Sequence, residues 1–360
     1  MTVSFIERAL CGMRMHARRP TIDDVARHSG VGRTTVSRVL NDGPNVRPEV
    51  RDRVWASVRS LNYTVNPQAR SLASGSSGLI ALVFASDLEA QPNSFYTSAL
   101  ELGALRECLV QGRHLLTHHV PQDSPDRKRQ VLDLIRAQRC QGLVLTPPFS
   151  DDPELVKAAA VQCAVALISP SPATRGLADG VGVDDEAGGY DVARHLLALG
   201  HRNLAYITGL ESHRSAARRL EGLRRAVKSH GLDPASVRVL AGDFTFRSGV
   251  EHTRRLLGER TPPTAILCAN DDTAAGALSV AHGLHLSVPD DISITGFDDT
   301  PMSEIVWPPL TTVHQPLKDM AGAAVNAIAR RLAGEDEGPR FETLPHTVIA
   351  RESSGPPGAP

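Results

Sequence analysis

The chain has 360 residues, 41% hydrophobic and 22% charged, enough for two or three domains of ordinary size, and no apolar run approaches the ~18 residues of a membrane span. Its five cysteines (Cys11, Cys108, Cys140, Cys163, Cys268) are scattered with no C-x-x-C pair, which argues against a disulfide framework and fits reduced thiols in the cytoplasm. The formal net charge of −1 hides an asymmetry: residues 1–70 hold 12 Arg, no Lys and 6 Asp or Glu, a balance of +6 that leaves −7 for the rest, so a basic head on an acidic body is expected to meet a polyanion.

Residues 1–20 lack the apolar stretch of a secretion signal, because Glu7 and Arg8 interrupt it. They are expected to form a disordered extension, with Met13 or Met15 as alternative starts. Thr21 followed by Asp24 has the form of a capping box and predicts a helix with Val25 and Ala26 facing inward. Gly30 allows the sharp turn that ends it. After it Val36, Val39 and Leu40 recur at helical spacing, leaving Arg33, Thr34, Ser37 and Arg38 on the outer side. Pro48 opens a third helix with Val50, Val54, Val58 and Leu61 on one stripe. Three short helices with a tight corner between the first two predict a helix-turn-helix module, whose second helix enters the DNA major groove. Arginine suits that position because its planar fork bonds two guanine acceptors, worth ~1–3 kcal/mol of discrimination per pair. The plainer alternative is a small helical core with surface arginines.

From Gly78 onward strand-like runs (LIALVF, GLVLT, VALIS, LAYIT, RVLAG, AILCA, ISITGF) alternate with amphipathic stretches at 95–111, 125–138, 187–199, 214–230 and 273–282. Such alternation predicts parallel sheets covered on both faces, and so many units predict two sheets, with chain crossings near 170–183 and 298–312. Ligands of open α/β sheets lie beyond the carboxyl ends of strands, here between the lobes. That singles out Ser169, Asn270-Asp271-Asp272, Asp298-Asp299 and Gln315, each of which could instead serve as an ordinary loop or cap residue. Equipment for catalysis is missing: there is no phosphate loop, no G-x-G-x-x-G after the first strand, no G-x-S-x-G elbow and no H-E-x-x-H site. GSSGLI precedes a strand and reads as linker, and His114, His118 and His119 read as surface residues of a strand-like run. Asp184-Asp185 and Asp298-Asp299 are adjacent pairs that would point opposite ways on a strand.

The run TIDDVARHSGVGRTTVSRVLNDGPNVRPEVRDRVWASVRSLNYTVNPQARSLASG resembles the N-terminal domain of lac-repressor-type (LacI/GalR) transcriptional regulators, most specifically in DVA, TTVSRVLN, LNY and NPQARSLASG. The resemblance implies base contacts from Arg33, Thr34 and Arg38 and phosphate contacts from Ser37 and Asn41. It further implies a hinge helix over residues 66–73 that orders on DNA, with Ala69 and Leu72 entering the minor groove and Leu72 acting as a wedge. Arg47 departs from the pattern where a small hydroxyl cap is usual, as does the order Val65-Asn66-Pro67. VGVDDEAGGYDVARHLLALGHRNLAYITG, RRLEGLRRAV, AILCANDDTAAGAL and ISITGFDDTPMSEIVWPPLTTVHQP are similar to the family's effector domain, which shares its fold with periplasmic sugar-binding proteins. By that resemblance Arg219 forks onto ligand hydroxyls, Asn270 and Asp298 hydrogen-bond the ligand, Gln315 lies at the cleft and Phe244 offers a stacking face. Ser169 and Phe95, with its neighbour Tyr96, complete the implied set. Saccharides are the favoured effectors, with nucleobases as the alternative.

The expected architecture is an all-α helix-turn-helix head plus an α/β two-lobed periplasmic-binding-protein-like body of two parallel-sheet subdomains. Its parts are the extension at 1–20, the DNA-binding domain at 21–64, hinge and linker at 65–77, an effector-binding and dimerisation body at 78–353, and a disordered tail at 354–360. The expected function is ligand-responsive repression of carbohydrate-utilisation genes in the cytoplasm, on a pseudo-palindromic operator. A homodimer is expected because the terminal SSGPPGAP carries no leucine heptads. No cofactor, metal or catalytic residue is expected. The rival reading is a carbohydrate- or nucleotide-processing α/β enzyme with an appended DNA-binding head.

Overall fold

The computed structural model describes residues 20–40, 43–63, 77–86, 94–122, 124–335 and 337–358, and the chain divides into the units Met1–Ser77 and Gly78–Pro360. In the first unit α1 (Ile22–Ser29) starts on the predicted box: the Asp24 amide donates to the Thr21 hydroxyl (3.4 Å) and the Thr21 amide to the Asp24 carboxylate (2.9 Å). Gly30 ends it at φ 66°, a left-handed conformation that glycine adopts without a Cβ penalty. Then follow α2 (Arg33–Leu40) and α3 (Pro48–Ser60), which close over Val25, Val36, Val39, Leu40, Val54 and Val58. Arg47 makes no side-chain cap on α3, so that helix start is left to its Pro48.

The second unit is built on two sheets. Its first lobe runs through β1 (Leu79–Ser86), α4 (Phe95–Val110), β2 (His114–Pro121), α5 (Arg127–Gln138), β3 (Gly142–Leu145), α6 (Pro153–Ala160), β4 (Ala164–Ile168) and β5 (Asp179–Gly182). The second lobe contains α7 (Asp185–Ala198), β6 (Leu204–Ile207), α8 (Arg214–Ser229), β7 (Arg238–Leu240), α9 (Phe246–Leu257), β8 (Ala265–Cys268), α10 (Asp271–Gly283), β9 (Ser293–Thr295), α11 (Met302–Ile305) and β10 (Thr312–His314). The chain returns with α12 (Leu317–Leu332) and β11 (Phe341–Thr343) to the first lobe and ends with β12 (Thr347–Ile349) against β10. The sheets have the orders β11-β5-β4-β3-β1-β2 and β7-β6-β8-β9, parallel throughout, while β10 and β12 pair antiparallel. Apolar clusters cover both faces of each sheet, which is why its strands read as unbroken apolar runs.

Three crossings join the lobes, not two. The first, at Val183-Asp184, follows the end of the expected window. The second falls at Gln315-Pro316, beyond 298–312, because Thr312 is tied into the second lobe by its hydroxyl bond to Asp271 (2.6 Å). The third, between β11 and β12, was not anticipated. The tail is also a correction: residues 354–358 are packed, not disordered. Gly355 accepts from His201 Nε2 (2.8 Å) and donates to Ser293 (3.0 Å), while the preceding Ser353 hydroxyl donates to the Ile294 carbonyl (2.6 Å). Backbone groups of a Gly/Pro-rich segment here find partners at a strand start, which no local pattern signals.

Helices α7 and α8 press together through Gly189 and Gly222. A Cβ on Gly189 would run into the Arg219 carbonyl, and one on Gly222 into the Glu186 carbonyl. This close approach sets Arg219 of α8 over the first turn of α7.

Candidate functional site

On α2 the residues Arg33, Thr34 and Arg38 are exposed and Ser37 is half-buried, while Val36 and Val39 fill the core. Arg33 pairs loosely with Asp23 (3.7 Å, both exposed), a contact worth ~0–1 kcal/mol that leaves the guanidinium free to be recruited. Asn41, Ala69 and Leu72 lie outside the described residues.

In the second unit, polar side chains converge between the lobes at strand ends. Arg219 is 6% exposed; its Nε donates to Asp185 (2.9 Å), one terminal nitrogen donates to the Ala269 carbonyl (2.6 Å) and lies 3.9 Å from Asp298, and its plane stacks 3.6 Å from the Phe297 ring centre. Burial pulls its pKa down, but Asp185 and Asp298 outweigh that and hold it up. Asp298 accepts from Gln315 Nε2 (2.6 Å), and burial pushes its carboxyl well above the usual range. Asn270 caps α10 by accepting from the Thr273 amide (3.0 Å) and donates to the Phe244 carbonyl (2.9 Å), so it fixes the loop that carries Phe244. Phe244 lies on Gly209, where any Cβ would strike its ring, and packs 5.3 Å from His213.

Ser169 (φ 46°), Phe244 (φ 69°) and Asp298 (φ 113°) all sit in the left-handed region, which is uncommon for residues with a side chain and gathers at functional sites. The structure thus brings Arg219, Asn270, Asp298 and Gln315 together, with Phe244 held by Asn270 and Ser169 at the end of β4. Of the two neighbours on α4, Tyr96 is the one whose phenol is raised by burial and by Asp298, with Arg219, Asp185 and Asp151 also in range. Phe95, about 100° round the helix, is 36% exposed.

Two further residues, His213 and Asp151, were not singled out from the sequence, and a third, Asp185, figured there only as half of an adjacent pair. His213, at the N-cap of α8, leaves Nε2 buried and unpartnered, and burial together with Arg219 pushes its pKa down to about 4, so it stays uncharged. Asp151, after β3, accepts from the Ser171 amide (2.7 Å) and reaches the Arg214 amide of the other lobe (3.5 Å). Asp185 is the partner of Arg219. The strand-end logic applied to Ser169 would have found Asp151; nothing local marks His213.

The adjacent aspartates do diverge, though not as strand neighbours. Asp184 caps α7 while Asp185 opens it, and Asp299 turns away to Arg351 (2.8 Å) and His314 (2.9 Å). His119 is likewise no bare surface residue: it bonds Ser86 (2.7 Å) and stacks on Phe84. A cavity of about 270 Å³ between β5, β11 and α12 contains none of the convergent residues; its Asp179 is already satisfied by Arg331 and the Arg340 amide. Among the described residues no group of three or more His, Cys, Asp or Glu could hold a metal, and no helix is long and apolar enough to cross a membrane.

Residues 21–66 match the family described as bacterial regulatory proteins, lacI family, and residues 193–354 match the periplasmic binding protein-like domain. The chain is 32% identical over 346 residues to the HTH-type transcriptional regulator DegA of Bacillus subtilis (strain 168), covering 94% of this chain and 99% of that protein. It superposes on the lac repressor dimer bound to operator and the anti-inducer ONPF with a TM-score of 0.83 at 28% identity, covering 94% of this chain and 100% of the other. For a transcriptional regulator CelR–cellobiose complex the TM-score is 0.70 at 28% identity, with coverage of 93% and 100%.

Proposed function

The chain belongs to the lacI family of bacterial regulatory proteins, and from that premise we infer that it is a ligand-responsive DNA-binding regulator that represses carbohydrate-utilisation genes. The observation that carries this reading is a division of polar groups. Arg33, Thr34 and Arg38 stand exposed on one helix face, as a groove-reading surface needs, whereas Arg219, Asn270, Asp298 and Gln315 are buried together where strands end. Buried polar groups that do not form a catalytic constellation suit recognition of a hydroxyl-rich effector, and cellobiose in the CelR complex is such a ligand. Relatives that are transcription regulators support a binding role rather than catalysis.

The working form is a homodimer acting in the cytoplasm. Leu102, Leu105 and Leu109 leave an apolar stripe exposed on α4, and Ile305 and Trp307 do the same on the second lobe, so both lobes offer surface for a second copy. Closure of the cleft would then shift the lobes across that interface and change the separation of the two residue 66–73 hinges, with Ala69 and Leu72 seated in the minor groove and Asn41 and Ser37 on phosphates. Short hinge helices gain stability only when paired on DNA, which makes them the bistable element.

Selection of bound duplexes from a random pool at fixed moderate salt tests this reading. The expected product is a palindrome with half-sites about one helical turn apart and a flexible pyrimidine–purine centre. Absence of any enriched sequence, with and without a mixture of sugars and nucleobases, would contradict it.

A further inference from the structure

The cavity between β5, β11 and α12 lies apart from the cleft, at the edge of the first lobe's sheet. It exists because α12 turns alanines to the sheet there: Ala323, Ala324 and Ala327 stand over Ala166 and Val181, whereas Ile328 of the same helix fills the space over Gly142. At about 270 Å³ it exceeds the roughly 150 Å³ engineered cavity that holds benzene, so a branched or aromatic side chain fits. None of its lining residues leaves a buried polar side-chain atom unpartnered, and the interior therefore suits an apolar group. Four charged residues line it. The Asp179 oxygens are taken by Arg331 Nε (2.7 Å) and the Arg340 amide (2.8 Å), and the Arg340 guanidinium is paired with Glu337. The side chains of Arg330 and Glu342, both exposed, make no ion pair or hydrogen bond with any described residue, the neighbouring Glu335 included. Glu342 is the register partner of Val181 on β5, so its side chain leaves the sheet on the cavity's face. Arg330 stands on the opposite wall, in the last turn of α12.

We propose that this cavity is a second ligand site, separate from the effector cleft, and that it takes a free α-amino acid with an apolar side chain. The carboxylate lies on Arg330, the ammonium on Glu342 and the side chain among the alanines. One uncommitted guanidinium and one uncommitted carboxylate at a single rim match the two charges of a zwitterion, and a bare anion or cation would leave one of them unused. A saccharide finds no spare hydrogen-bonding group in the interior and would lose hydration there without return. The walls are also the first-lobe elements of all three crossings: β5 runs on to Val183-Asp184, α12 follows Gln315-Pro316, and β11 precedes the return to β12. An occupant therefore touches every element that leads to the second lobe.

The test is ligand-observed NMR titration of the full chain with leucine, methionine, phenylalanine and glycine, and with two analogues of leucine, 3-methylbutylamine and 4-methylpentanoate, each lacking one charge. At least one of the three apolar amino acids should bind with a Kd of about 1 mM or tighter, and glycine at least about tenfold more weakly, since it has nothing to bury. Ala323→Leu, which fills the cavity, should weaken that amino acid by at least about tenfold. Arg330→Ala should weaken leucine about two- to fivefold and leave 3-methylbutylamine unchanged, while Glu342→Gln should weaken leucine similarly and leave 4-methylpentanoate unchanged. Both charge variants lie on the surface, so they report even if Ala323→Leu folds poorly. The proposal is overturned if none of the three amino acids binds, or if binding persists in a folded Ala323→Leu variant. It is equally overturned if either analogue binds as tightly as leucine, or if neither charge variant changes leucine affinity.

Discussion

Replacing Asp185 with Ala leaves Arg219 buried with its nearest countercharge gone. Removing one partner of a buried ion pair costs ~3–5 kcal/mol, because the remaining charge is uncompensated. Here Asp298 remains 3.9 Å away and the Ala269 carbonyl still accepts at 2.6 Å, which points to the low end, about 3 kcal/mol. For a unit of this size that is a fall in Tm of about 6–12 °C. Adding Arg219→Met removes the stranded charge while keeping the packed stem over Phe297. Asp298, whose carboxyl burial already holds far above the usual range, then takes up a proton instead of standing as a bare anion. The double variant should therefore recover about 2 kcal/mol relative to Asp185→Ala alone. Chemical unfolding of wild type, both single variants and the double variant measures this coupling. Strictly additive losses, or a single-variant cost below about 1 kcal/mol, would refute the buried pair as described.

His213 has a folded pKa of about 4 against 6.5 unfolded, so between these values the unfolded state binds more protons and stability falls as the pH is lowered. Between pH 7 and pH 5 this residue should cost about 2 kcal/mol, and His213→Gln should remove that part of the slope in Tm against pH. Gly189→Ala drives a methyl into the Arg219 carbonyl; a loss of about 1–3 kcal/mol is expected, together with weakened effector binding and an unchanged selected DNA sequence. Leu109→Lys, at a position 70% exposed, should change stability at high dilution by less than about 1 kcal/mol but lower the dimer fraction in sedimentation, and an unchanged dimer would remove the α4 stripe from the interface. Leu72→Ala should weaken operator binding far more than nonspecific binding; equal losses would argue against a wedge.

Much of the fold was legible because parallel strands buried on both faces leave continuous apolar runs, as in LIALVF and GLVLT. Helix α7 begins at Asp185 and α10 at Asp271, each two residues before the start of its apolar pattern, because Asp184 and Asn270 cap them. The short strands β5 (DGVG) and β10 (TVH) carry too few residues for periodicity, and the position of the second crossing depends on a bond from Thr312 to a residue 41 positions away. The cleft was legible as a set of polar residues after strands, but not as a geometry. Left-handed backbone at Ser169, Phe244 and Asp298 has no signature in those residue types, and only the helix rotation decides between Phe95 and Tyr96. Asn270 shows why strand-end residues resist a single label: it is both the helix cap and the strut for Phe244.

The most direct test is the affinity of the full chain for its selected duplex, followed by fluorescence anisotropy with and without each saccharide, for wild type and Arg219→Met. In wild type at least one saccharide should change the Kd by about 5–150-fold, the range of ordinary allosteric coupling, whereas Arg219→Met should bind the duplex with unchanged affinity and show no response. An equal response in both proteins would contradict control of the DNA-reading head from the Arg219 cleft.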